Sequence, residues 1–203
     1  QAQGFPPSRR ADKRPSFSYY SYLIEANTPH SAMNMNPPTA AARDAVQLSM
    51  HGDVAVVRLC RPAKRNALSD GLILAIRDAF QNLPTEARAA VIHGEGDHFC
   101  AGLDLSELQE RDAGEGVHHS RMWHNALDQV QQGPVPVIAA MHGAVVGGGL
   151  ELASACHIRV ADETTFFAHP EGTRGIFVGG GGAVRIPKLI GVARMTDMML
   201  TGR

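Results

Sequence analysis

One apolar stretch with three consecutive glycines constrains this 203-residue chain more than any other part of it. Residues 135–155 read VPVIAAMHGAVVGGGLELASA, a buried strand that leads into a glycine loop and then into helix-forming residues. Glycine lets a backbone approach a bulky group closely, and the first amides of the following helix have no partner within it. Because Glu151 lies in the first turn of that helix, the stretch predicts free backbone donors beside a carboxylate.

The rest of the chain alternates between short apolar runs and helical patterns. Apolar or β-branched runs predict five strands, at residues 54–60, 89–93, 135–141, 158–161 and 164–167. Helical periodicity predicts a helix between Ser69, its N-cap, and Pro84, and further helices at residues 105–111, 117–131, 150–155 and, as a pair, 183–200. Residues 112–116 are expected to form a flexible break. Strands that alternate with helices predict an α/β fold.

Composition argues against several classes of function. The formal net charge is −1, so no basic field indicates nucleic acid as a partner. The longest apolar run, residues 134–155, is interrupted by glycines and by Glu151, which argues against a membrane span. Cys60, Cys100 and Cys156 form no CxxC pair, so neither a disulfide framework nor a zinc site is predicted, and a reducing compartment fits best.

Residues 1–45 differ from the rest in composition. They are rich in Pro, Ser, Ala and Asn, carry basic residues at positions 9–14, and sustain no apolar periodicity. We expect a disordered tail or a non-native extension, with a transit peptide as the alternative. The corresponding compartments are the cytoplasm and, alternatively, the mitochondrial matrix.

Three loops that follow strands carry residues suited to chemistry. They span residues 98–105, 142–153 and 166–172 and read HFCAGLDL, HGAVVGGGLELA and FFAHPEG. Since α/β proteins commonly place their sites on loops at one edge of the sheet, these loops are expected to converge.

These loops, with the earlier turn RPAKRNAL at residues 61–68, resemble the motifs of the crotonase (enoyl-CoA hydratase/isomerase) superfamily, in the same order. The resemblance covers residues 46–203 and implies a spiral of ββα units that lacks the family's C-terminal helical region. It implies an acyl-CoA thioester as substrate, with no metal and no cofactor. Full-length members are expected to form a homotrimer or a dimer of trimers.

The resemblance also assigns site residues. The thioester oxygen is expected between the backbone amides of Ala101 and Gly148, while Glu151 activates water and Glu171 protonates C2. Residues implied to contact the substrate are Ala63, Lys64, Gly102, Leu103 and Asp104. Keeping both carboxylates favours an enoyl-CoA hydratase, which adds water syn to a 2-enoyl-CoA. The alternatives are an enoyl-CoA isomerase, an aromatic acyl-CoA hydratase/lyase and a non-catalytic CoA-binding or truncated interaction protein.

Several of these residues have plainer interpretations. Glu151 alone could be a dipole-favoured helix start, and Asp104 could cap the short helix that follows it. Lys64 fits a solvated turn as well as a phosphate contact. The histidines at positions 118, 119 and 124 lack an HExxH pattern and are expected to be surface residues. The loop GIFVGGGGA at residues 175–183 lacks the family's usual proline and threonine, and it is expected to be a packing loop or a pocket loop.

Overall fold

The computed structural model describes residues 38–203. Residues 1–37, most of the predicted tail, lie outside the described residues. The end of that tail is not irregular: Ala40–Asp44 forms a short helix, α1, whose N-cap Thr39 accepts a hydrogen bond from the Ala42 amide. The predicted boundary at residue 45 therefore falls between α1 and the first strand.

Seven strands and six α-helices make up the described part of the chain. The strands are β1 (Val46–His51), β2 (Val54–Leu59), β3 (Ala89–Gly94), β4 (Val137–Met141), β5 (Ala144–Val146), β6 (Ile158–Ala161) and β7 (Phe166–Ala168). After α1 come α2 (Asp70–Gln81), α3 (Ala113–Gln131), α4 (Gly148–Ala155), α5 (Gly182–Ile190) and α6 (Val192–Thr201). Three short 3₁₀ helices cover Pro62–Lys64, Leu105–Glu107 and Gly172–Arg174.

The strands form two sheets. The larger has the order β1-β2-β3-β4-β6, with an antiparallel β1–β2 pair and parallel pairs elsewhere. The smaller sheet pairs β5 with β7 in parallel. The order strand, strand, helix occurs as β1-β2-α2, as β4-β5-α4 and as β6-β7-α5, which agrees with the predicted α/β fold of ββα units.

The core is one buried apolar cluster, formed by residues of the large sheet, of helices α2 and α3, and of the loops that join these elements. Along β2, alternate residues Ala55, Val57 and Leu59 are fully buried, as the period of two requires. On α2 the apolar face is buried as its helical period predicts, and the Ser69 hydroxyl caps it by accepting from the Leu72 amide. None of the described helices combines the length and hydropathy needed to cross a membrane.

The structure corrects several predicted elements. The expected break at residues 112–116 is the start of α3, because Asp112 and Glu115 form a capping box. The helix expected at residues 105–111 is only the 3₁₀ turn Leu105–Glu107. Strands β1 and β5 were not predicted, and β7 begins two residues later than predicted.

Candidate active site

The two candidate glutamates follow neighbouring strands of the small sheet. Glu151 lies in the first turn of α4, directly after β5, and Glu171 follows β7 by three residues. The two strands run parallel, and the Gly147 amide extends their pairing by donating to the Ala168 carbonyl at 2.9 Å. Because parallel strands end at the same edge, both carboxylates reach one cavity, as the sequence predicted.

Gly147 is the point where the two loops touch. Its backbone has φ 52° and ψ −119°, a conformation that L-residues avoid. A Cβ at this position would also overlap Oε1 of Glu171. Glycine is therefore required here for its backbone angles and for the close approach of the carboxylate.

Glu151 is a buried carboxylate held by backbone donors. Only 4% of the residue is exposed, and Oε1 accepts hydrogen bonds from the amides of Gly180 at 2.9 Å and Gly182 at 2.8 Å. Burial raises the pKa of Glu151, the Gly182 amide opposes that rise, and the negative charge of Glu171 adds to it. A raised pKa brings a carboxyl group in a cavity closer to the range in which general acids and bases work best.

Glu171 has a different environment. Its side chain is 13% exposed, and it stands at the start of the 3₁₀ helix Gly172–Arg174. No backbone amide of the described residues donates to its carboxylate. Nδ1 of the buried His169 lies 2.7 Å from its Oε2.

The structure corrects the first predicted amide donor. The amide of Ala101 donates to the Arg65 carbonyl at 3.0 Å and is therefore already used within the fold. Two residues on, the Leu103 amide has no hydrogen-bond partner among the described residues, nor has the Gly148 amide. A Cβ built on Gly148 would lie 3.7 Å from the Leu103 nitrogen, so the two unused amides belong to one wall of the cavity.

The cavity itself has a volume of about 290 Å³ and a mainly apolar lining. Its apolar residues include Leu103, Leu105, Leu108, Trp123, Val146, Ile176 and Phe177. Both glutamates and Gly148 also line it. A cavity of this size, apolar with a few convergent polar groups, is typical of a small-molecule site.

A polar cluster around Asp70 forms another part of the wall, and sequence reasoning missed it. Asp70 accepts hydrogen bonds from His119 Nε2 at 2.6 Å and Trp123 Nε1 at 3.0 Å, and Arg111 lies 3.3 Å away. Partial burial opposes ionisation, but the hydrogen bonds from His119 and Trp123 outweigh it and lower the pKa of Asp70. His119 is thus a half-buried cavity residue, which corrects its prediction as a surface histidine.

The predicted substrate contacts divide into two groups. Gly102 and Leu103 line the cavity. Asp104 does not, because it caps the 3₁₀ helix Leu105–Glu107 and pairs with Arg61 at 3.0 Å. Ala63 and Lys64 lie in the exposed 3₁₀ helix Pro62–Lys64, away from the cavity lining.

The glycine loop before α5 helps to hold the Glu151 carboxylate in place, a role that its sequence did not reveal. The amide of Gly180 in this loop and that of Gly182, the first residue of α5, fix the Glu151 carboxylate. Gly179 and Gly180 line the cavity. A Cβ on Gly182 would lie 2.7 Å from Cγ of Glu151, so a side chain there would displace the carboxylate. The only sign of this role in the sequence was the run of four glycines that follows the predicted catalytic loop with Glu171.

Comparison with known proteins identifies the family. The family model for enoyl-CoA hydratase/isomerase matches residues 49–203. A probable enoyl-CoA hydratase from Bacillus subtilis is 35% identical over 162 residues, which cover 78% of this chain and 62% of that protein. The chain thus spans about three fifths of the length of this relative.

Solved structures agree. A provisional enoyl-CoA hydratase from Rhodopseudomonas palustris has 61% identity and a TM-score of 0.78, covering 79% of this chain and 62% of that one. A provisional enoyl-CoA hydratase from Thermobifida fusca, in complex with acetoacetyl-CoA, has 27% identity and a TM-score of 0.72, covering 82% and 70%. With the fold and the family model in agreement, the chain belongs to the enoyl-CoA hydratase/isomerase family of the crotonase superfamily.

Proposed function

We propose that this protein is an enoyl-CoA hydratase that adds water to a 2-enoyl-CoA thioester. The observation that carries the proposal is that Glu151 and Glu171 line one cavity with two unused backbone amides, those of Leu103 and Gly148. Such a set can polarise a carbonyl and move two protons, which is what hydration of an enoyl thioester requires.

The amides of Leu103 and Gly148 take the role of an oxyanion hole. They hold the thioester oxygen and stabilise the enolate that forms when a nucleophile adds at C3. Both donors are fixed before the reaction, since they belong to the backbone, and Gly148 also begins helix α4. The loss of one such donor typically costs about 3 kcal/mol of transition-state stabilisation.

The two carboxyl groups divide the proton transfers. Glu151 accepts a proton from water as the water oxygen bonds to C3 and the C2–C3 π electrons move towards the thioester. Glu171, which starts the cycle protonated, then supplies its proton to C2, and the enolate returns to a thioester. The proton that Glu151 took up passes through solvent and restores Glu171. One water is consumed and no electrons leave the substrate, so the balance needs neither a metal nor a redox cofactor.

The known relatives support this substrate class. The similar Thermobifida fusca protein was crystallised with acetoacetyl-CoA, which is itself an acyl-CoA thioester. The matching family includes isomerases by name, so a 3-enoyl thioester is the natural competitor for the same cavity.

The test is turnover of a small panel of CoA thioesters by the purified chain. The panel contains crotonyl-CoA, an aromatic 2-enoyl-CoA and a 3-enoyl-CoA, and hydration is followed by loss of the enoyl ultraviolet absorbance. Loss of absorbance with the 2-enoyl substrates supports the hydratase, and isomerisation of the 3-enoyl thioester alone supports the isomerase. Calorimetric binding of acyl-CoA without any turnover would overturn the proposal in favour of a non-catalytic CoA-binding protein.

A further inference from the structure

His169 is the least explained polar side chain beside the candidate active site. The residue is fully buried, and both ring nitrogens lack a hydrogen bond within the described residues. A buried polar group without a partner costs folding free energy, so such a group calls for an explanation.

The ring of His169 contacts one of the two carboxylates. Nδ1 lies 2.7 Å from Oε2 of Glu171, which is the length of a charge-assisted contact. The ring N–H is not aligned for a hydrogen bond in this conformation, and Oε2 of Glu171 likewise has no hydrogen-bond partner among the described residues. The terminal torsions of histidine and glutamate are soft, so a rotation of either group aligns the pair.

The two glutamates differ in what holds them. Glu151 has two backbone donors, from Gly180 and Gly182, which fix one of its oxygens. Glu171 has no backbone donor among the described residues; Oε1 packs against the α-carbon of Gly147, and Oε2 faces His169. One carboxylate is therefore oriented by the backbone, and the other depends on a single imidazole.

We propose that His169 is a positioning residue for Glu171, which it orients by donating from Nδ1 to Oε2. This inference rests on the proposed function, because Glu171 is the group that exchanges a proton with C2 of the substrate. The location of His169 suits the role: it follows β7 directly, and Pro170 restricts the backbone between the two side chains.

A matched pair of substitutions at residue 169 separates positioning from packing. In asparagine, the amide nitrogen is two bonds from Cβ, as Nδ1 is in histidine, so H169N keeps a donor at that place. Leucine has nearly the same shape as asparagine without a donor, and both variants leave a similar space.

The kinetic result expected is a split between the two variants. H169L should lower kcat about 10- to 100-fold, the usual effect of losing a hydrogen bond to a carboxylate, which Glu171 becomes as its proton moves to C2. KM for crotonyl-CoA should change less than about 3-fold. H169N should recover most of that loss. Equal losses of kcat in the two variants, or a loss confined to KM, would overturn the proposal.

A second measurement does not depend on turnover. Nitrogen-15 spectra of labelled histidine rings are recorded for the parent and for Glu171→Gln, and the His169 signals are identified by their absence in H169N. The proposal expects the Nδ1 signal of His169 to move when the Glu171 carboxyl group is replaced by an amide, while the other histidine signals stay in place. An unmoved His169 signal contradicts the contact, and a parent chain without turnover contradicts only the proposed function.

Discussion

The backbone amide of Gly182 donates to Oε1 of Glu151 at 2.8 Å, across 31 positions of sequence. This bond ties the glycine loop before α5 to the first turn of α4. Together with the Gly180 amide, it fixes a carboxylate that is almost completely buried. The loop that departs most from the family pattern therefore sets the orientation of a predicted catalytic group.

The buried carboxylate of Glu151, when ionised, should destabilise the folded protein at neutral pH. Burial raises its pKa, so the folded protein binds this proton more tightly than the unfolded chain does. The stabilisation from that proton is complete below the unfolded pKa of about 4.3 and is lost as the pH rises through the folded value.

Glu151→Gln removes the cost, because the amide is neutral at every pH and its oxygen still accepts from Gly180 and Gly182. We expect the variant to melt at a higher temperature than the parent at about pH 7, and the difference to shrink towards about pH 4. Thermal unfolding at a series of pH values measures this. A difference that grows as the pH falls would show that the sign is wrong.

Gly147→Ala should lower the stability of the fold, whereas Gly148→Ala should lower turnover and leave the stability nearly unchanged. At Gly147 a methyl group meets Oε1 of Glu171 and the backbone has positive φ, so we expect a loss of at least about 2 kcal/mol in the free energy of unfolding. At Gly148, in the first turn of α4, a methyl group would lie 3.3 Å from the ends of the Leu68 and Trp123 side chains.

Both neighbours need to move by only a few tenths of an ångström. Alanine favours a helix by about 1 kcal/mol over glycine, which offsets that movement, so Gly148→Ala should keep its stability within about 1 kcal/mol. The methyl group would nevertheless lie 3.7 Å from the Leu103 nitrogen, on the wall where both amides must reach the thioester oxygen, and kcat/KM should fall about 100-fold or more. Denaturant unfolding and turnover assays measure both effects. A Gly148→Ala variant with parental turnover would argue against this wall as the oxyanion hole.

The donor assignment at Leu103 can be tested without a substitution. On titration with acetoacetyl-CoA, the amide proton signals of Leu103 and Gly148 should shift downfield, because each gains a carbonyl acceptor. The Ala101 signal should shift less, since its amide already donates to Arg65. A larger shift at Ala101 than at Leu103 would return the role to the residue that the motif first suggested.

Much of the fold was predictable because apolar period and caps are local signals. Strand β2 was predicted from its run of β-branched residues, and helix α2 from its apolar period and its N-cap Ser69. Two elements were missed although a local signal was present: β1 alternates apolar and polar residues, and Asp112 with Glu115 has capping-box spacing. In the second case, the glycines at positions 114 and 116 concealed the start of the helix.

The site was predictable only in part, for a physical reason. Glu151 and Glu171 could be located because each follows a predicted strand within a recognisable loop. Which amide remains free cannot be read from a motif, since it depends on the tertiary hydrogen bond from Ala101 to Arg65. The burial of His169 is likewise a property of the packed structure.

The central claim is that Glu171 exchanges a proton with the substrate inside this cavity. The most direct measurement is the initial rate of crotonyl-CoA hydration by the parent chain and by Glu171→Gln, at matched concentrations and with matched circular dichroism spectra. A group that transfers a proton in the transition state contributes about 10²- to 10⁴-fold, so kcat should fall by that factor while the fold is kept. A Glu171→Gln variant that hydrates crotonyl-CoA at the parental rate would contradict the account.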